Sequence, residues 1–412
     1  MTDRHPTTTT RPPPALRRRL GLVLLVLYGV GITVGAGIYV LIGTVAGHAG
    51  THAPWAFGLA ALVMALTVGS YAELATRYPV SAGEAAYLRE AYGSRLASTA
   101  TGLLTVVIGL VSAAAVALGA AGYLHALMPA PRPLLVVAVV LALGAVAAWG
   151  ILQSVVVASL FTLVEVGGLV MIILAAAGAD LPFLAALATV PPVEPAVVSG
   201  IAAASLLAFF AFIGFEDLAN IAEEAKDPHR NLPLAMALTL VVATLLYVLV
   251  AAVAVTAVAP AELAASEAPL SLVFQRLAGT SPATIGVIAV VATLNTVLAQ
   301  MTMVSRVVYG MARLGDLPAV LGHVHGATGT PLVATGAVVV AVIALALSLS
   351  LERLAVATSM ATLVVFALVN LALIRLKRRG VTSPAPHVRV PFWVPVAGLA
   401  TCLAMAAFAA LP

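Results

Sequence analysis

Two acidic residues lie within long apolar stretches of the sequence, where an ionised side chain is costly to bury. Glu165 is near the middle of the stretch 154–177, and Glu216 ends the aromatic run that begins at Phe209. A charge at the centre of a bilayer costs at least about 2.5–3.5 kcal/mol, so such an acid has either a role or a hydrogen-bonding partner. A carboxyl that titrates near neutral pH can carry a proton, which makes Glu165 a candidate proton site. The alternative is a neutral carboxylic acid that hydrogen bonds between helices.

Glycines interrupt two of the apolar stretches at mid-depth. Gly35 and Gly37 lie in the first stretch, and Gly214 precedes Glu216 in the sixth. Because glycine weakens a helix, we expect helix breaks at both places. The N–H groups that a break frees bind a carboxylate, and the freed carbonyl groups bind an ammonium, so two breaks together suit a zwitterionic amino acid. Alternatively, the glycines form a packing face between helices, and Glu216 caps free N–H groups.

The composition indicates that membrane helices position these residues. Of the 412 residues, 62% are hydrophobic and only 9% are charged, whereas soluble domains are about 25% charged. This excludes a soluble enzyme and a disordered chain, and the single cysteine excludes a disulfide scaffold. A bilayer requires ~20 apolar residues per helical span. Eleven spans are predicted, at residues 20–45, 54–76, 96–127, 133–151, 154–177, 198–222, 232–258, 281–312, 330–350, 354–375 and 391–410.

The basic residues predict the orientation. With the N-terminus inside, 17 of the 20 lysines and arginines fall in cytoplasmic segments and 3 fall outside, as the positive-inside rule requires. We therefore predict a multi-pass protein of the inner (plasma) membrane with a cytoplasmic N-terminus and, after eleven spans, a C-terminus on the outer side. The bilayer explains the basic residues, and no nucleic acid partner is predicted.

The two interrupted spans are the first in each of two sets of five, which predicts the domain organisation. Residues 1–19 form a disordered cytosolic tail, 20–180 the first repeat, 196–378 the second repeat and 391–412 an additional span. Interruptions at corresponding positions of two halves indicate a transporter substrate site. The predicted fold class is an all-α polytopic membrane protein with two five-helix halves and broken helices 1 and 6.

Four stretches of the sequence resemble motifs of the amino acid–polyamine–organocation superfamily of permeases. They are Gly35-Ala-Gly-Ile38, residues 77–87, residues 212–233 and residues 305–318. Each motif is weak alone, but their order and spacing are specific, and the similarity covers about residues 20–375. The resemblance implies a LeuT-like fold of two inverted five-helix repeats and amino acid transport. Many members of the superfamily have twelve spans, one more than is predicted here.

The resemblance implies that the two breaks form the substrate site. Backbone N–H groups of Gly35, Ala36 and Gly37 would bind the substrate carboxylate. Neighbouring residues would bind the ammonium through their carbonyl groups or shape the side-chain pocket. Phe210 would close the site from outside. These residues are Ile32, Thr33, Phe210, Phe212, Ile213, Gly214 and Phe215.

The resemblance also suggests where ion coupling takes place. Many relatives carry lysine at the position of Glu165, so glutamate here would act as a proton site or a sodium ligand. Asn295 and Thr296 would lie opposite the first span at the ion position, although ordinary hydrogen bonds between helices are the alternative. Glu216 would gate the site or sense protons.

The predicted function is secondary active transport of amino acids by alternating access, as proton-coupled symport of neutral L-amino acids. No lysine or arginine is close to the predicted pocket, which argues against acidic substrates. The alternatives are a cationic amino acid or polyamine transporter, an exchanger, and a substrate sensor that does not transport. The predicted partners are a small-molecule amino acid and the lipid bilayer. Neither enzymatic activity nor a metal site nor a cofactor is predicted, and a proton gradient, or sodium, is the expected energy source.

Overall fold

The computed structural model describes residues 18, 20–35, 37–79, 83–149, 154–222, 225–279, 283–313, 315–325, 330–381 and 386–409. These residues are almost entirely helical, and their one β-type contact is an isolated bridge between Leu20 and Ala225. The α-helices are α1 (Leu22–Val34), α2 (Gly37–Ala49), α3 (Ala53–Arg77), α4 (Gly83–Tyr92), α5 (Arg95–Leu127), α6 (Arg132–Trp149), α7 (Ser154–Gly178), α8 (Phe183–Ala188), α9 (Pro195–Phe212), α10 (Asp217–Asn220), α11 (Pro228–Ala257), α12 (Pro260–Ala265), α13 (Pro269–Ala278), α14 (Ala283–Arg313), α15 (Leu332–Ser348), α16 (Leu351–Arg378) and α17 (Trp393–Ala409).

The long apolar helices lie where the sequence predicts membrane spans. Eight helical stretches of the described residues are long and apolar enough to cross a membrane, and two shorter apolar helices, Leu332–Ser348 and Trp393–Phe408, accompany them. The first of the eight stretches, Leu22–Arg77, contains α1, α2 and α3. The prediction of an all-α polytopic membrane protein is confirmed. The number of eleven spans and the two inverted repeats stay predictions.

The sixth predicted span is divided at Gly214. α9 ends at Phe212, α10 begins at Asp217, and Gly214 between them has a φ of +136°. Only glycine adopts this φ without strain, because it lacks a Cβ. The break also frees backbone donors, and Gly214 N–H donates to Oε2 of Glu216 at 2.9 Å. The glutamate therefore caps the backbone at the break.

The first predicted span is divided between α1 and α2. Gly35 keeps a helical conformation, and its N–H donates to the carbonyl of Gly31 at 3.1 Å. Ala36 lies outside the described residues. Gly37 begins α2, and a side chain at this position would overlap Ala211 of α9. Glycine at position 37 is thus required for the close packing of α2 against α9.

The broken helices are enclosed by other helices. α1 packs against α11 and α7, and α2 packs against α9. α9 also contacts α3 and α16, while α5 runs along α14. Unwound backbone at membrane depth is tolerated only where protein or a cavity surrounds it. This packing provides that environment for both breaks.

A buried cluster of charges joins α3 to α16 at their predicted cytoplasmic ends. Glu73 is fully buried and lies 2.7 Å from Arg77 Nη2 and 2.6 Å from Lys377 Nζ. Its Oε2 also accepts a hydrogen bond from the backbone N–H of Val390, at 2.8 Å. The i, i+4 spacing of Glu73 and Arg77 predicts an ion pair on a helix surface. The ion pair forms, but both side chains are buried, so the predicted surface position is wrong. The segment before α17 covers the pair, and Lys377, far away in sequence, completes it.

We expect Glu73→Gln to destabilise the protein strongly, because it leaves the buried Arg77 and the partly buried Lys377 without their shared counter-charge. Removing one partner of a buried ion pair typically costs about 3–5 kcal/mol. The matched control is Glu262→Gln, which breaks an exposed ion pair with Arg276 and should cost about 0–1 kcal/mol. Thermal unfolding of both variants in detergent micelles measures the difference. Equal unfolding temperatures for the two variants would contradict the structural importance of the cluster.

Candidate functional site

The two helix breaks lie against each other. A Cβ built on Gly214 would be 2.6 Å from Cγ2 of Ile32 and 3.1 Å from the backbone N of Thr33. The turn between α9 and α10 therefore contacts the last turn of α1. The last carbonyl groups of a helix lack intrahelical partners, so the contact brings together the unsatisfied ends of α1 and α9.

A tyrosine of α11 links these two helix ends. The hydroxyl of Tyr247 lies 2.6 Å from the carbonyl oxygen of Thr33 and 2.8 Å from that of Ala211. A phenol has one hydrogen to donate, so the two carbonyl oxygens share it. Phe212 packs edge-on against the same ring, with centroids 4.9 Å apart. Tyr247 thus holds the ends of α1 and α9 together at the point where both helices stop.

The predicted substrate-site residues gather at these breaks. Those that the structure describes are Ile32, Thr33, Gly35, Gly37, Phe210, Phe212, Ile213, Gly214 and Phe215. All of them are buried. Phe215 packs against the rings of Tyr71 and Phe366, at 5.5 Å from each. The predicted residue Ala36 lies outside the described part of the chain.

Glu165 is fully buried, and its two carboxylate oxygens have different environments. Oε1 accepts a hydrogen bond from Nδ2 of Asn295 at 3.2 Å. Oε2 is buried with no hydrogen-bonding partner among the described residues. The hydroxyl of Tyr39 donates to the backbone carbonyl of Glu165 at 2.6 Å. The structure thus brings together two of the predicted coupling residues and attaches α7 to α2.

A small cavity lies between α1, α7 and α14, next to Glu165. Thr296 contacts α1 so closely that a Cβ on Gly35 would overlap its hydroxyl oxygen. Thr162, one turn before Glu165, donates to the carbonyl of Leu27 at 3.1 Å. The described lining residues are Tyr28, Gly31, Ile32, Thr162, Asn295, Thr296 and Ala299. Polar side chains and helix backbone therefore surround the predicted ion position.

Glu216 lines a second cavity, which is distinct from the cavity next to Glu165. Glu84 of α4 is buried beside this cavity and accepts a hydrogen bond from the hydroxyl of Tyr71 at 3.0 Å. Burial raises the pKa of Glu84 above its usual range, because desolvation disfavours the charged form. The described lining residues are Tyr71, Glu84, Thr105, Ile108, Ile213, Glu216, Asp217, Asn220, Gln300, Met303, Thr362, Val365 and Phe366.

Comparison with known proteins identifies the family. The family model described as amino acid permease matches residues 20–412. The chain belongs to the amino acid permease family. It is therefore a multi-pass membrane protein of a transporter family, and the predicted superfamily is confirmed.

The permease is similar to transporters from bacteria and plants. The branched-chain amino acid permease of Bacillus subtilis is 32% identical over 385 residues, covering 89% of this chain and 82% of the relative. An uncharacterized transporter of Mycobacterium tuberculosis is 34% identical over 405 residues, or 98% and 89% of the two chains. A vacuolar cationic amino acid transporter of Arabidopsis thaliana is 30% identical over 398 residues, or 89% and 64%.

Sequence patterns did not reveal several residues at the centre of the permease. Tyr247 and Tyr39 lie in apolar stretches, and their hydroxyl groups donate to backbone carbonyls of distant helices. A buried tyrosine usually hydrogen bonds through its hydroxyl, so a tyrosine in an apolar stretch is the one sequence signal that could have pointed to these residues. Glu84 belongs to a family motif but carried no predicted role, and Gln300 resembled an ordinary polar contact.

We expect Tyr247→Phe to weaken the junction of the two breaks. The substitution keeps the ring but leaves two buried carbonyl groups without a donor, which costs about 1–3 kcal/mol. Thermal unfolding of the purified permease should show the loss, and uptake of labelled amino acids into proteoliposomes should fall. The control is Tyr309→Phe, a half-buried tyrosine of α14. If both variants unfold and transport alike, the hydroxyl of Tyr247 does not hold the breaks together.

Proposed function

We propose that this permease is a secondary active transporter that moves neutral L-amino acids by alternating access, in symport with protons. The substrate binds between the two helix breaks, and Glu165 carries the proton. The observation that carries the proposal is the buried carboxyl of Glu165, with one oxygen bonded to Asn295 and the other unpartnered among the described residues.

The backbone around the breaks supplies the chemistry for a zwitterion. α2 begins at Gly37, and helix N-termini favour anions because the first N–H groups of a helix have no intrahelical acceptor. The carbonyl ends of α1 and α9 are 2.6 and 2.8 Å from a single shared hydroxyl, so they retain acceptor capacity for an ammonium. The two charged groups of an amino acid then match opposite ends of neighbouring helices.

Proton coupling follows from the energetics of the Glu165 carboxyl. An ionised carboxylate at membrane depth is costly, and only one oxygen of Glu165 is hydrogen bonded to a residue that the structure describes. A proton on the carboxyl removes the charge. Asn295, which donates to Oε1 of Glu165, lines the cavity beside α1, and opening of that cavity as the helices move would let the proton exchange. Since α1 contributes both to this cavity and to the substrate site, its position links proton binding to substrate binding. A sodium ion in the same cavity is the competing coupling ion.

The side-chain pocket favours neutral substrates. Apolar residues dominate the breaks, and no lysine or arginine lies among the described residues of either cavity. The relative named as a branched-chain amino acid permease supports the same substrate class. The relatives named as cationic amino acid transporters support the alternative, for which Glu216 offers a counter-charge.

The cellular setting completes the proposal. The 17-to-3 distribution of basic residues favours an inner (plasma) membrane protein with a cytoplasmic N-terminus. Residues 20–180 and 196–378 then form the two inverted repeats, each beginning with a broken helix, and the last span follows them.

The decisive experiment measures uptake of a labelled neutral amino acid, leucine, into proteoliposomes with and without an inward proton gradient. Wild-type protein should accumulate leucine only with the gradient. Glu165→Gln removes the titratable group but keeps the hydrogen-bonding shape, so accumulation driven by protons should fall by about tenfold or more. Glu262→Gln, at an exposed ion pair, is the matched control and should behave like wild type.

Other outcomes would contradict specific parts of the proposal. Gradient-driven accumulation that survives in Glu165→Gln would exclude Glu165 as the proton carrier. Uptake that ignores pH but requires external sodium or internal amino acid would indicate a sodium symporter or an exchanger. Binding without any uptake would indicate a sensor. Preferential uptake of labelled arginine over leucine would assign the permease to the cationic class.

A further inference from the structure

The cavity beside Glu216 has a strongly acidic lining. Glu84, Glu216 and Asp217 all border it, and the described lining residues include no lysine, arginine or histidine. The space open to a water-sized group is about 20 Å³, which is enough for about one water molecule or a group of similar size, such as an ammonium. Three carboxyl groups in a confined space repel each other when ionised. A positively charged ligand would remove that repulsion.

Two further side chains at this cavity have unused hydrogen-bonding groups. Gln300 of α14 and Thr362 of α16 are 4% and 1% exposed, and Oε1 of the first and Oγ1 of the second have no partner among the described residues. A buried polar atom without a partner costs about 1–3 kcal/mol, so its presence calls for an explanation. Both atoms accept hydrogen bonds, and one of them, the amide oxygen, can only accept. A ligand that donates hydrogen bonds would satisfy both.

The lining restricts the kind of cation. Among the described residues, no three acids, histidines or cysteines are close enough together to hold a metal ion. Three N–H donors on a primary ammonium match acceptors that are spread around a cavity better than a bare ion does. All three carboxyl groups are already partly engaged. Glu84 accepts from Tyr71 and Glu216 accepts from Gly214. Asp217 accepts a hydrogen bond from the side chain of Asn220. The amide oxygen of Gln300 and the hydroxyl oxygen of Thr362, in contrast, have no partner among the described residues.

We propose that this cavity is a binding site for a primary ammonium group, with Gln300 and Thr362 as acceptors and Glu84 and Asp217 as the counter-charge. The site lies on the α4 side of the turn at Gly214, while the predicted substrate carboxylate site lies at the start of α2. The ammonium belongs either to the transported amino acid on its way through the protein or to a separate amine. The first source rests on the proposed function, and the second does not.

The test uses n-propylammonium, which has no carboxylate and so has no use for the N-terminus of α2. Its binding to the purified full-length protein in detergent is measured by isothermal titration calorimetry. Thr362→Val removes the acceptor at constant shape, and Gln300→Met removes the amide. Each should weaken binding about tenfold, the equivalent of one lost hydrogen bond to a charged group. Tetramethylammonium, which has no N–H donors, should bind more weakly than n-propylammonium.

A control variant on the same helix makes the test specific. Thr358 lies one turn before Thr362 in α16, is equally buried, and donates to the carbonyl of Leu354 at 2.9 Å. Thr358→Val should leave the affinity for n-propylammonium within about twofold of wild type. No saturable binding to wild type, or equal affinity in the Thr362, Gln300 and Thr358 variants, would overturn the proposal.

Competition identifies the source of the ammonium and separates this proposal from the proposed function. Displacement of n-propylammonium by leucine but not by N-acetyl-leucine would support the site and assign it to the substrate. Binding that leucine does not displace, but that Thr362→Val weakens, would support the site and assign it to a separate amine. Failure of leucine uptake in proteoliposomes would contradict the proposed function without affecting either binding result.

Discussion

The structure depends on how backbone groups are satisfied where two helices stop inside the apolar part of the protein. In hydrocarbon, each free N–H or carbonyl group costs several kcal/mol, so a break requires protein partners at once. The hydroxyl of Tyr247 serves the carbonyl ends of α1 and α9, and Glu216 serves the N–H of Gly214. The contact of Glu216 is local to the turn, whereas Tyr247 comes from α11, so the carbonyl ends of α1 and α9 obtain this donor only when the helices pack together.

This requirement explains the closeness of the helices around the breaks. Gly37 is packed against Ala211, and Gly35 against Thr296. A side chain at either glycine would push α2 away from α9 or α1 away from α14. The backbone groups would then lose the geometry that allows a shared donor. Glycine in the first span therefore has two effects, since it weakens the helix locally and permits the contacts that compensate for the break.

Much of the architecture was predictable from the sequence, because hydropathy and glycine placement are local signals. The helices coincide with the apolar stretches, and the break at Gly214 follows from a φ that only glycine tolerates. Long-range partners were not predictable in this way. Tyr247 and Thr33 are 214 residues apart, and the burial of Glu73 depends on Lys377 and on the segment before α17. Such contacts arise from packing between helices and leave no periodic pattern.

The turn at Gly214 connects the two cavities physically. On one side, Gly214 touches Ile32, which lines the cavity beside Glu165. On the other side, its neighbours Ile213 and Glu216 line the acidic cavity. A displacement of the turn would change both cavities together, because its residues line one cavity and contact a lining residue of the other. Packed elements tend to have discrete arrangements instead of deforming continuously. The break in the sixth span is therefore the element through which an occupant of either cavity would alter the other.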